Sequence, residues 1–165
     1  MSLTPSIFWN FFHEFFFNFN NIRVAGIACA VPTNEVKTES YKPLFGDEEV
    51  DKFMEMTGVR ASHRTSEHQT CSDLGYRAAS ELLEKKGINR EEIGALIFSS
   101  HSPDYRRPST AFVLQYRLGI PKEAVCYDIS LGCSSLVVGM QTIGSIMNSS
   151  DMKYALLFVG DTAGK

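Results

Sequence analysis

The sequence predicts an α/β fold with a mostly parallel sheet covered by helices. Three short apolar runs carry that prediction: Ala95 to Ser99, Val125 to Leu131 and Tyr154 to Gly160. Runs of this length, apolar on both sides, suit strands buried on both faces. Between them lie segments with helical spacing of apolar residues, and strands alternating with helices imply parallel crossovers with helices packed on the sheet. The chain has 165 residues, 44% hydrophobic and 21% charged, enough for one domain with a real core.

The elements follow in order. Seven of the twelve phenylalanines lie between Phe8 and Phe19, beside Trp9, so residues 1–21 form an aromatic-rich arm. Phe8, Phe12, Phe15 and Phe19 fall at helical spacing. A membrane-surface helix would carry Lys or Arg on its polar face, and this arm has none; a packing or appended segment is expected. Ile22 to Ala30 reads as a first strand, stopped at Pro32. Asp47 to Met56 reads as a short helix, with acids in its first turn and Gly58 after its end. Val59 to Thr65 is polar and reads as a loop or short edge strand.

A longer helix runs from Thr70 or Ser72 to Lys86, where Leu74, Ala78 and Leu82 form one row, and Lys85-Lys86-Gly87 supplies a basic last turn and a stop. Asn89 to Ile93 is a turn or short helix leading into the strand Ala95 to Ser99. Pro103 to Pro108 is a loop. Ser109 or Thr110 then caps a helix to Leu118, ended by Gly119 and Pro121. The run Val125 to Leu131 leads through Gly132, which permits a tight turn, into a helix reaching about Ser149. Tyr154 to Gly160 is the closing strand. Residues 22–165 contain no repeat or linker and form one unit.

Composition removes several function classes. A net charge of −3 gives no footing for nucleic-acid binding. No run is long and apolar enough to span a membrane. Cys29, Cys71, Cys126 and Cys133 show neither CxxC nor metal-ligand spacing with the four histidines, and are read as reduced thiols in a cytosol.

Cys133 stands out among them because it sits where a strand breaks into a helix. Unpaired N–H groups and the positive end of the helix dipole favour an anion there, hence a nucleophilic thiolate. The same N–H groups can stabilise an oxyanion on a carbonyl attacked by sulfur. A free cysteine is also among the most buried residue types, a small hydrophobe and nothing more. Local pattern leaves both readings open.

The ordered set of words resembles a family. Ile27 to Val36 (IACAVPTNEV), Thr57-Gly58-Val59-Arg60 with His63, and Ile93 to Ser99 (IGALIFS) are followed by Pro108-Ser109-Thr110-Ala111 and Leu118-Gly119-Ile120. The Asp128 to Leu136 segment and Lys153 to Asp161 (KYALLFVGD) complete it. Over residues 22–165 the chain is similar to the N-terminal half of a β-ketoacyl-acyl-carrier-protein synthase III, in the thiolase-like superfamily. The resemblance implies a truncated thiolase-like fold lacking its C-terminal half.

It also implies Cys133 as the nucleophile that takes an acyl group from acyl-CoA, and a Claisen condensation with malonyl-acyl-carrier-protein in fatty acid biosynthesis. Acyl-CoA and acyl carrier protein would be its partners, with a homodimer or higher self-association, no tightly bound cofactor and no metal. Lys165 falls near a basic position used for CoA phosphate. Near Lys52 and Met56 the family often carries a Trp and an Arg that hold the CoA nucleotide, and Arg107 stands where an aromatic residue often reaches across the dimer. The family's carbanion-stabilising His and Asn belong to the C-terminal half, and His13, His63, His68 and His101 fall outside that His motif. The 165-residue chain alone is therefore expected to be inactive in condensation. Two other readings stay open: another Cys-dependent acyltransferase of the superfamily, such as a hydroxymethylglutaryl-CoA synthase, and a non-catalytic assembly module.

Overall fold

The computed structural model describes residues 17–162. Its centre is a parallel sheet in the order β4-β3-β5. The middle strand, β3 (Ile93–Ser99), pairs in parallel with β4 (Val125–Ile129) on one side and β5 (Tyr154–Val159) on the other. Ala95, Leu96, Ile97, Phe98 and Ser99 are each at most 1% exposed. A central strand of a parallel sheet is covered on both faces, which is why this run is continuously apolar rather than alternating.

The two faces are covered differently. Leu96, Phe98 and Phe158 point to one side, where α3 (Cys71–Lys86) contributes Ala79 and Leu83 and α4 (Thr110–Leu118) contributes Ala111, Leu114 and Leu118. Ile97, Ser99 and Leu157 point to the other side, beneath α5 (Ser135–Asn148). Gly139 lets α5 approach closely, since a Cβ there would fall 2.6 Å from Leu157 Cδ1. The outer side of α5 remains apolar and open, with Leu136, Val137 and Met140 about half exposed or more.

Helix boundaries follow local chemistry. Thr70 caps α3 in a reciprocal box: its hydroxyl accepts from the Asp73 amide, and the Asp73 carboxylate accepts from the Thr70 amide at 3.0 Å. Arg117 of α4 pairs with Asp73 at 2.8 Å, which ties the two helices together. Gly58, Gly87 and Gly119 close α2 (Asp47–Thr57), α3 and α4 with φ of 71°, 61° and 66°, where a side chain would be strained. Arg90–Glu92 forms a single 3-10 turn before β3.

Two elements differ from the sequence expectation. Residues 22–30 do not form a strand: the segment pairs with none of the strands among the described residues, and Val24 and Ile27 are 63% and 87% exposed. Apolar β-formers supply the tendency, but a strand exists only where a neighbour takes its hydrogen bonds. The first strand is instead β1 (Asn34–Lys37), antiparallel to β2 (Ala61–Arg64) in a separate two-stranded ribbon. The edge-strand reading of residues 59–65 is the correct one of the two alternatives. Lys42 to Phe45 adds a one-turn helix, α1, ahead of α2.

Of the aromatic arm, residues 1–16 lie outside the described residues, so the helical spacing of Phe8, Phe12 and Phe15 does too. Phe19 packs on α5, where a Cβ at Gly144 would fall 2.6 Å from its ring, and the Asn20 amide donates to Asn148 Oδ1 at 3.4 Å.

Candidate active site

The Cys133 turn is built by the end of β4 and the start of α5. After Ile129 the Leu131 amide turns back to the Ile129 carbonyl at 3.2 Å, and the Ser135 amide donates to the Gly132 carbonyl at 2.8 Å. Ser135 is 2% exposed and braces the turn from below: its hydroxyl donates to the Leu131 carbonyl at 2.6 Å. Ser99, at the end of β3, donates to Ser135 Oγ at 2.9 Å. The turn is thus anchored to the central strand by two buried hydroxyls, a small and fully satisfied polar network.

Cys133 projects from this turn and is exposed. The residue after it, Ser134, holds the N-cap position of α5 but makes no side-chain capping bond, and the first turn of α5 carries no acidic residue. The Ser135 amide is taken by the Gly132 carbonyl, but no side chain caps or neutralises the positive end of the helix, which lies two residues after the sulfur's own position.

The other cysteines have different surroundings. Cys71 is buried, and desolvation pushes its thiol up to about 11, against a smaller opposing hydrogen bond with Ser100. Burial likewise raises Cys126. Cys29 is exposed, on the unpaired segment before β1. Short exposure of the folded chain to iodoacetamide should modify Cys133 and Cys29 and leave Cys71 and Cys126 unmodified, as read by peptide mass; thiolate character and access decide the rate. Equal labelling of all four would mean that the core around β3 is not formed.

A second cluster stands next to the turn. Asp161, just beyond β5, gathers the segment after β3: its Oδ1 accepts from Ser100 Oγ at 2.8 Å, the His101 amide at 2.6 Å, the Ser102 amide at 3.0 Å and Ser102 Oγ at 3.1 Å. Burial opposes ionisation of this carboxyl, but the Ser100 hydroxyl and the two amides outweigh it and hold the group below the usual carboxylate range. The ring of His101 lies on Gly132. Nothing in the sequence pattern singled out Asp161; its position after an apolar strand is the signal that could have marked it.

The φ of Gly132 is not in the left-handed region; a Cβ at this position would fall 2.5 Å from His101 Cε1 and 2.8 Å from Nδ1, so a side chain here would require the exposed His101 ring to move.

Lys165 lies outside the described residues. His63 and His68 are exposed, and His63 Nδ1 lies 2.7 Å from the Pro32 carbonyl. Met56, on α2, is 77% exposed, and Arg107 is exposed in the loop before α4. A small cleft of about 80 Å³, lined by Pro32, His63, Arg64, Thr65, Leu74, Asp161 and Thr162, is well below the size of a typical ligand pocket. Among the described residues no group of three or more His, Cys, Asp or Glu could hold a metal ion. No helix among them is long and apolar enough to cross a membrane.

Comparison with known proteins places this geometry. No family model matches the chain. In sequence it is 33% identical over 146 residues to the β-ketoacyl-[acyl-carrier-protein] synthase III of Clostridium beijerinckii, across 88% of this chain and 44% of that protein. It is 32% identical over 161 residues to the synthase of the same name from Latilactobacillus sakei, across 86% and 48%. In structure it resembles a 3-oxoacyl-(acyl-carrier protein) synthase from Burkholderia xenovorans, with a TM-score of 0.79, 32% identity and coverage of 82% of this chain and 39% of that one. It also resembles OleA from Xanthomonas campestris, with a TM-score of 0.74, 26% identity and coverage of 84% and 42%. The chain spans less than half the length of these relatives. Over most of its length the chain thus matches the N-terminal half of β-ketoacyl-acyl-carrier-protein synthase III proteins, and it has the thiolase-like fold.

Proposed function

We propose that this chain is the nucleophile-bearing half of a β-ketoacyl-acyl-carrier-protein synthase III-like condensing enzyme of fatty acid biosynthesis, with Cys133 as the acyl acceptor. The observation that carries the reading is the exposed Cys133 thiol at the uncapped, acid-free N-terminus of α5. Its sulfur attacks the thioester carbonyl of an acyl-CoA, forming a new C–S bond and an oxyanion that N–H groups at the start of α5 can stabilise. Collapse of the oxyanion breaks the bond to CoA, which leaves as a thiolate and is protonated by water. Malonyl-acyl-carrier-protein then loses CO₂, and the electron pair left on carbon attacks the Cys133 thioester. The new C–C bond gives a 3-oxoacyl-acyl-carrier-protein and returns the Cys133 thiolate.

The two steps make different demands. Acyl transfer needs a nucleophile and an oxyanion site, and the reading assigns the first to Cys133 and the second to amides near the start of α5 other than that of Ser135. Decarboxylation needs the His and Asn that the family carries in its C-terminal half. The 165-residue chain is therefore expected to acylate once and not to turn over, and the same reading expects homodimers, a cytoplasmic location and no tightly bound cofactor. Incubation with acetyl-CoA and longer acyl-CoAs should release up to one CoA per chain, and none from Cys133→Ser. Release of no CoA from any donor by the unaltered chain would overturn the proposal. The positions of Lys52 and Met56 on α2 keep a second reading in view, a hydroxymethylglutaryl-CoA synthase-like acyltransferase; turnover with acetoacetyl-CoA rather than malonyl-acyl-carrier-protein, in a version joined to a C-terminal half, would favour it.

A further inference from the structure

His101 belongs to no part of the chemistry above, yet the fold holds its ring against the residue that precedes Cys133. The strand β3 does not stop at its last paired residue: the Ser100 amide still donates to the Ile129 carbonyl at 3.1 Å, so His101 emerges directly above the end of β4. From there its backbone is fixed to the other neighbouring strand. The His101 amide donates to Asp161 Oδ1 at 2.6 Å, the Ser102 amide shares that oxygen, and the Thr162 amide donates to Ser102 Oγ at 2.7 Å. With its backbone tied down, the ring sits on Gly132 so closely that no Cβ fits between them. The side chain is exposed, so burial of the ring is not what this arrangement achieves. Ser135 and Ser99 brace the same turn from below.

We propose that His101 is a positioning residue for Cys133: its ring, carried on a backbone tied to Asp161, rests against Gly132 and steadies the turn that presents the sulfur ahead of α5. The inference rests on the reading of Cys133 as the nucleophile. It acts through shape, so a flat ring is required at position 101 and a protonated imidazole is not. Misplacement of a reacting group by about an ångström costs as much as a hundredfold in rate. Asp161→Asn should act in the same direction, because it weakens the tie that holds the ring in place.

The test is the rate at which iodoacetamide modifies Cys133, read by peptide mass relative to Cys29 in the same 165-residue chain. His101→Ala should lower the Cys133-to-Cys29 ratio by roughly tenfold, with the far-ultraviolet circular dichroism unchanged. His101→Phe should restore the ratio to within about threefold, which loss of a merely structural contact elsewhere would not predict. An unchanged ratio in His101→Ala overturns the proposal, as does His101→Phe behaving like His101→Ala. If Cys133 reacts no faster than Cys29 in the unaltered chain, the nucleophile reading fails on its own, while a fall in the ratio in His101→Ala alone would still establish the positioning role.

Discussion

Phe98→Ala should destabilise the fold by about 3–5 kcal/mol, the usual cost of emptying a fully buried aromatic site. Phe98 lies on the middle strand of the sheet, is 1% exposed, and stands in register with Phe158 of β5 and Asp128 of β4. Its ring packs with the buried faces of α3 and α4, so its loss leaves a cavity that the two flanking strands cannot close. Against a total stability of about 5–15 kcal/mol for an ordinary domain, this is a large fraction. Urea unfolding should show the midpoint falling with an unchanged slope. Phe112→Ala is the control: the same residue type on α4, 50% exposed, should shift stability by no more than about 0.5 kcal/mol. Equal effects at the two positions would contradict the assignment of the core.

Asp128→Ala should cost roughly 2–5 kcal/mol by a different mechanism, the loss of a charged acceptor that satisfies two buried amides. The Asp128 carboxylate accepts from the Thr110 amide at 2.7 Å and from the Ala111 amide at 2.8 Å, and both residues are fully buried. It thereby caps α4 from the strand that leads to Cys133. Asp128→Asn keeps one acceptor oxygen and should lose about half as much. Amide exchange at Thr110 and Ala111 should accelerate in Asp128→Ala before the rest of α4 is affected. A loss below about 1 kcal/mol would mean that another group caps the helix.

That cap also marks where sequence reading stops. Of the two caps expected, Ser109 or Thr110, Ser109 holds the N-cap position but makes no side-chain capping bond; the acceptor comes from Asp128, on β4, and no local pattern records a partner so far along the chain. Where punctuation is local it was legible. Thr70, one of the two starts read for α3, and Gly58, Gly87 and Gly119 mark helix ends by their own backbone chemistry, and the observed ends agree. Apolar runs placed β3, β4 and β5, but the burial expected on both faces holds for β3 alone; β4 and β5 are edge strands and mostly half-buried.

The ribbon strand β1 was not visible, since Asn34, Glu35 and Lys37 are exposed and four polar-flanked residues show no burial period. Conversely, Ile22 to Ala30 has strand-like residues and pairs with no strand among the described residues. At the site, the place of Cys133 before α5 was readable from the strand-to-helix break. The clamp of Asp161 and the seat of His101 on Gly132 were not, because both depend on how the ends of β3, β4 and β5 come together.

Mass spectrometry of the chain after incubation with acetyl-CoA, carried to the level of peptides, decides whether Cys133 accepts an acyl group. One acetyl group per chain should appear on the peptide containing Cys133, removable by hydroxylamine as a thioester is, and absent in Cys133→Ser. An acetyl group found on Cys29 as often as on Cys133, or on neither, would contradict that role.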